Sequence, residues 1–201
     1  MKKKIYAYYE ALQAFDQNEQ FACANIWKAS WEANGWETVM LNRSHAQGSP
    51  LHLKLITKLT RLMPVLPSEL QNNIHFIIAK FSRWCALHAA GGGWMSDYDV
   101  VNNSFDLDKS SQLEKNGSLL VISDQPSFVF YATKEICASA IQKIINDDLH
   151  VDGVLKNEDR IFNEDGKLDS ILNDVYHASK TPELAKSEVM KNIFINNEKI
   201  I

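Results

Sequence analysis

The chain has 201 residues, 45% of them hydrophobic, 23% charged and 10% aromatic, which fits one globular domain over 1–201 and excludes collagen-like, low-complexity and wholly disordered chains. Its 21 Lys and Arg against 25 Asp and Glu give a net charge of −4, which excludes a nucleic-acid binder with a broad basic face. The charge is segregated, +3 over residues 1–63 and −7 over 64–201, a weak field that favours anionic ligands at the N-terminal part. Cys23, Cys85 and Cys137 are odd in number and form no CxxC pair, so a reducing compartment is expected. Lys2-Lys3-Lys4 runs into Ile5–Tyr9 and then Glu10 instead of an apolar stretch. Neither a secretion signal nor a transmembrane segment is expected, and the expected compartment is the cytoplasm.

Ile5–Tyr9, aromatic and branched, predicts a strand. Phe21, Ala24, Ile26, Trp27, Ser30 and Trp31 recur at helical spacing up to Asn34-Gly35, and Trp36–Leu41 predicts a second strand. Strand, helix, strand in this order is a βαβ unit, which implies a parallel sheet. Ser49-Pro50 opens a short amphipathic helix through Leu51, Leu55, Ile56, Leu59 and Leu62, closed by Pro64 and Pro67. Ser68 and Gln71 have capping-box spacing. Leu70, Ile74, Ile77, Ile78, Phe81 and Cys85 then predict a helix over about 69–90, ended by Gly91-Gly92-Gly93. On that helix Arg83 falls two residues beyond Phe81, off the apolar stripe, and is expected to be exposed.

Trp94–Val101 reads as a strand that breaks into a polar turn; Leu119–Ser123 and Phe128–Thr133 read as strands around Pro126. Lys134–Asn146 predicts a helix with Ile136, Ala140, Ile141 and Ile144 inward. Further helices are expected at 155–162, 168–174 and 183–192, with a short strand near Val175-Tyr176-His177. The whole is an α/β domain with a mostly parallel sheet flanked by helices.

The chemistry concentrates between Arg83 and Val101. Asp97 and Asp99 stand two apart just past a glycine break. In a strand they share a face; in a turn they can converge on one hard cation, which takes oxygen ligands and keeps water or phosphate in its shell. Arg83, Leu87, Gly92-Gly93, an aromatic residue and then Asp97-x-Asp99 resemble the sugar-nucleotide region of GT-A glycosyltransferases, particularly the capsular-polysaccharide and mannosyltransferase-like families. The interval from Gly-Gly to the first aspartate agrees. The interval from Arg83 to Gly-Gly is one residue longer, and the aspartate usually found before the arginine is missing. The close match covers about twenty residues, a short DxD-centred pattern.

The resemblance implies a GT-A, Rossmann-like fold and transfer of a sugar from a UDP- or GDP-sugar to a glycan or other hydroxyl acceptor, with Mn²⁺ or Mg²⁺ as cofactor, in bacterial surface-polysaccharide synthesis. Asp99 would ligate the metal, and Asp97 would hold the ribose or a metal-bound water. Arg83 would lie near the donor or hold Asp97 in place. Gly92 and Gly93 would let the donor pass close to the backbone, where a single glycine suffices to stop the helix. His177 would complete the metal shell and Lys180 would face the diphosphate. Asp159, near the helix start in Asn157–Phe162, would contact the acceptor or transferred sugar, in competition with Ser123-Asp124. Tyr8 would stack on the base and Glu10 would accept from it, against core packing for one of the two faces, Tyr6 with Tyr8 or Tyr9.

Two other readings fit. Asp97-Tyr98-Asp99-Val100-Val101 also matches the nucleophile motif of haloacid-dehalogenase-like phosphatases, although Gly91–Ser96 is a poor version of the buried strand that precedes it. A non-catalytic sugar-nucleotide-binding module is the third.

Overall fold

The computed structural model describes residues 3–11, 17–62, 64, 71, 74–115, 119–122, 129–146 and 175–177. Strand β1 (Lys4–Tyr8) leads through helix α1 (Gln17–Ala33) to β2 (Glu37–Leu41), and the two strands pair in parallel with Tyr6 opposite Val39. This is the expected βαβ unit. Helices α2 (Arg43–Gln47), α3 (His52–Leu62) and α4 (Ile74–Ala90) follow, then β3 (Gly92–Ser96) and β4 (Val100–Asn102). The rest comprises α5 (Leu107–Glu114), β5 (Leu119–Ile122), β6 (Val129–Thr133), α6 (Lys134–Asn146) and β7 (Val175–His177).

The main sheet has the order β2-β1-β3-β6-β5. β1 pairs in parallel with both β2 and β3, whereas β6 runs antiparallel between β3 and β5. β4 and β7 form a separate antiparallel pair. The domain is therefore α/β with a mostly parallel, mixed sheet.

Both faces of the sheet are covered, as strands joined by helical crossovers require. On β1, Ile5 and Ala7 point to one core and Tyr6 and Tyr8 to the other. The first core is built on tryptophan: Trp27 and Trp31 of α1, Trp36 and Trp94, closed by Phe105. Their rings meet mostly edge to face, Trp31 on Trp36 at 5.5 Å and Trp94 on Phe105 at 5.0 Å, the arrangement the ring quadrupole favours. Of the stripe expected on α1, Trp27, Ser30 and Trp31 are buried, Ala24 and Ile26 are partly so, and Phe21 is 55% exposed.

The second core lies under α3, α4 and α6, where Trp84 stacks on Phe130 at 4.7 Å. In α4, all eight residues from Phe81 to His88 are buried. A helix enclosed on every side has no polar face, so a single-stripe reading fails there. Arg83 is consequently only 9% exposed, not a surface arginine. The helix over 134–146 has the expected bounds, and Cys137 joins its inward face. Helices α2 and α5 were not expected; their signals are the caps Asn42, which accepts from Ser44 and His45 N–H, and Asp106, which accepts from Lys109 N–H.

The glycine run divides into two roles. Gly91, at φ +97°, is the left-handed residue past α4 and donates its N–H to the His88 carbonyl. Gly92 and Gly93 already belong to β3. A Cβ on Gly92 would stand 2.6 Å from Lys134 N and 2.7 Å from Ala132 O, and one on Gly93 would stand 3.1 Å from the Tyr6 ring. The close approach that the three glycines imply is made by the chain itself, by the β6–α6 junction and by Tyr6.

Candidate functional site

The parallel strands β1, β2 and β3 end side by side, and open sheets of this kind receive ligands beyond their carboxyl ends. Tyr9 and Glu10 follow β1, Asn42 and Arg43 follow β2, and Asp97-Tyr98-Asp99 follows β3. The last three form a tight turn closed by Val100 N–H donating to the Asp97 carbonyl at 3.1 Å. The strand expected to run on to Val101 thus stops at Ser96 and resumes as β4, with both aspartates on the turn.

Helix α1 holds this turn from both sides. Trp27 Nε1 donates to Ser96 Oγ at 2.7 Å, just before Asp97, and Trp31 Nε1 donates to the Val100 carbonyl at 3.0 Å, just after Asp99. One step further, Asn102 N–H donates to Ser30 Oγ at 3.0 Å. Positions 27, 30 and 31 lie on one helix face, so a single turn of α1 fixes the segment that carries the carboxylates. In the sequence these positions show only as residues recurring at helical spacing. Their role as a clamp emerges from the fold, where each buried indole N–H needs an acceptor and finds it beside the turn.

Arg83 reaches the turn from α4, its Nη1 donating to Asp97 Oδ1 at 2.8 Å. The arginine side chain is 11% exposed and that of Asp97 33%. Burial pulls the guanidinium below its ordinary pKa, and the charge and hydrogen bond of Asp97 push it back. Of the two roles expected for Arg83, the hydrogen bond fits the one that holds Asp97.

Tyr98, between the aspartates, packs edge-on against Tyr9 at 5.5 Å, and Tyr9 in turn lies 5.9 Å from Phe21. Burial, then the Asp99 charge, pushes the Tyr98 phenol up to about 12. Tyr9 thus joins the end of β1 to the carboxylate turn. Tyr8 is only 9% exposed and packs into the second core, so core packing accounts for its ring, where stacking on a base was expected. Its hydroxyl donates to Glu10. Burial, then that hydrogen bond, raises its pKa. Glu10 is grasped by Arg43, Nε at 3.1 Å and Nη2 at 2.9 Å, a two-pronged pair that saturates much of the carboxylate expected to accept from a base. The Glu10–Arg43 pair was not anticipated, since it joins residues 33 apart in sequence.

Two carboxylates on one turn fit a hard divalent cation, which needs one or two protein oxygens and fills its shell with water and phosphate. Among the described residues, no three His, Cys, Asp or Glu converge as a self-sufficient metal centre. Backbone pairing sets His177 directly opposite Val100, one residue from Asp99. Asp124, Asp159 and Lys180, the helices expected at 155–162, 168–174 and 183–192, and the Ser68–Leu70 start of the long helix lie outside the described residues. No helix among the described residues is long and apolar enough to cross a membrane.

No protein-family model, curated protein or solved structure matches the chain.

Proposed function

We propose that the protein is a GT-A-type glycosyltransferase that moves a sugar from a UDP- or GDP-sugar to a glycan hydroxyl with the help of Mn²⁺ or Mg²⁺, in the manner of surface-polysaccharide synthesis. One observation carries the reading: Asp97 and Asp99 stand on a tight turn at the carboxyl end of a central parallel strand, clamped by Trp27 and Trp31 and charge-paired to Arg83. That position is where an open sheet receives a nucleotide.

On this reading Asp99 would hold the cation beside the donor diphosphate, and Asp97 would hold the ribose or a metal-bound water. The bound cation supplies Lewis-acid stabilisation of the departing nucleoside diphosphate. Arg83 is a positioning residue, fixing the rotamer of Asp97 through a charge-assisted hydrogen bond. His177, across the β4–β7 ladder, is the further ligand candidate. Lys180 is assigned to the diphosphate and Asp159 to the acceptor or transferred sugar. The acceptor hydroxyl oxygen forms its bond to the anomeric carbon and the bond from that carbon to the diphosphate breaks; the nucleoside diphosphate leaves with the electron pair, and the hydroxyl proton passes to it or to water. A fixed clamp matters here because such a site works by preorganisation.

One observation favours a second reading. Residues 92–96 are a well-paired central strand, with β1 on one side and β6 on the other, where the sequence made them a poor one. A DxD phosphatase needs such a strand before its nucleophile. Against it, Asp97 would be that nucleophile, and one of its oxygens is already bound by Arg83. Turnover separates the alternatives. Slow metal-dependent hydrolysis of UDP- or GDP-sugars, with no release of phosphate from p-nitrophenyl phosphate, supports the transferase. The converse supports the phosphatase, and donor binding without turnover supports a binding module.

A further inference from the structure

We infer that the outer face of α3 docks on an anionic lipid membrane, with Lys54, Lys58 and Arg61 meeting the headgroups and Leu53 entering the interface beside them. Between residues 38 and 68 the chain has four of its 21 Lys and Arg and none of its 25 Asp and Glu. A positive segment of this length in a protein of net charge −4 sets a local field opposite to that of the remainder.

Helix α3 turns that composition into a surface. It buries Leu55 and Leu59 against the core. Lys54, Lys58 and Arg61 follow at i, i+4 and i+7, so they form one stripe along the helix. Lys54 and Arg61 are exposed and Lys58 is half-buried. Several basic side chains elsewhere have acids: Lys3 pairs with Glu114, Lys4 with Glu37, Lys28 with Glu32 and Arg43 with Glu10. Among the described residues no ion pair reaches the three on α3.

Leu53 decides the class of partner. It is 75% exposed, more than Phe21 or Phe76, the other large apolar side chains exposed among the described residues. A soluble polyanion would neutralise the stripe and leave Leu53 in water. An anionic bilayer takes both, since apolar matter lies just beneath its charge. Each Lys or Arg near such a surface strengthens binding about fivefold, and the attraction is screened by salt. The inference stands apart from the transferase reading and from the carboxylate turn.

Co-sedimentation of the full chain with vesicles tests it. Phosphatidylcholine vesicles carrying phosphatidylglycerol should pellet the protein at low salt, and pure phosphatidylcholine vesicles should not. The double reversal Lys54→Glu/Arg61→Glu should abolish pelleting, and Leu53→Ser should weaken it several-fold at unchanged charge; circular dichroism checks that both variants stay folded. No pelleting by the anionic vesicles, equal pelleting by both vesicle types, or retention by the double reversal overturns the inference. Indifference to Leu53→Ser also overturns it, and equal capture of both proteins on heparin would then make the stripe a polyanion site.

Discussion

Trp27 and Trp31 stand one helical turn apart on α1 and hold opposite sides of the same three-residue turn, Trp27 through Ser96 Oγ and Trp31 through the Val100 carbonyl. The two acceptors flank Asp97-Tyr98-Asp99, so the separation of the carboxylates is tied to a rigid helix as well as to the turn itself. Trp27→Phe keeps most of the ring and removes the N–H, leaving Ser96 Oγ without its donor. The expected cost is about 1–3 kcal/mol. In a double-mutant cycle with Ser96→Ala, the two losses should be less than additive. Denaturant unfolding of the four proteins measures this, and strict additivity would place the tryptophan's contribution elsewhere.

The Arg83–Asp97 pair should respond unequally to loss of either partner. The arginine is the more deeply buried charge, 11% exposed against 33%. Asp97→Ala leaves a guanidinium in a dry site and should cost about 3 kcal/mol. Arg83→Met leaves a carboxylate that water can still reach and fills the vacated space, so its cost should be smaller. Melting and denaturation curves of the two variants decide the order.

The glycine run should separate into a tolerant and an intolerant part. Gly91→Ala meets no atom within 4 Å and bears only the left-handed backbone penalty, about 1–2 kcal/mol. Gly92→Ala drives a methyl to within 2.8 Å of three backbone atoms of the 132–134 segment, none of which can rotate away. That variant should fail to accumulate as folded protein, whereas Gly91→Ala should purify with a modestly lowered Tm.

Much of this architecture follows from local pattern. The βαβ opening, the helix over 134–146 and the strands near 119–122, 129–133 and 175–177 come from period and punctuation alone. The burial of Arg83 does not, because it depends on α4 being enclosed by the sheet, α2, α3 and α6 together. The Glu10–Arg43 pair and the Trp27–Ser96 bond were hidden for the same reason: they join residues 33 and 69 positions apart, the first where β1 and β2 end side by side and the second where α1 packs over the end of β3. The Asp97–Asp99 motif was visible; the clamp that shapes it was not.

Acid should destabilise the fold through histidine. His88 is 8% exposed, with Nδ1 3.0 Å from Ser49 Oγ. Burial chiefly, and then the Lys134 charge, lowers its pKa below 6.5. His52 is lowered by burial and then by Arg43, and among the described residues its buried Nε2 has no hydrogen-bond partner. With the folded pKa below the unfolded one, the unfolded chain binds more protons as pH falls through 6.5. The histidine contribution is therefore intact above that value and declines below it. Tm followed from neutral pH to about pH 5 should fall, and His52→Gln/His88→Gln should flatten the slope. An unchanged slope would assign the acid response to other groups.

In the proposed function Asp97 and Asp99 hold a divalent cation together with a nucleotide-sugar diphosphate. Titration calorimetry of UDP- and GDP-sugars into the wild-type protein and Asp99→Ala, each with Mn²⁺ and with EDTA, tests it most directly. Measurable donor binding is expected only in the wild type with Mn²⁺, lost on chelation and in the variant. Equal donor affinity with and without the cation, or an undiminished affinity in Asp99→Ala, would contradict it.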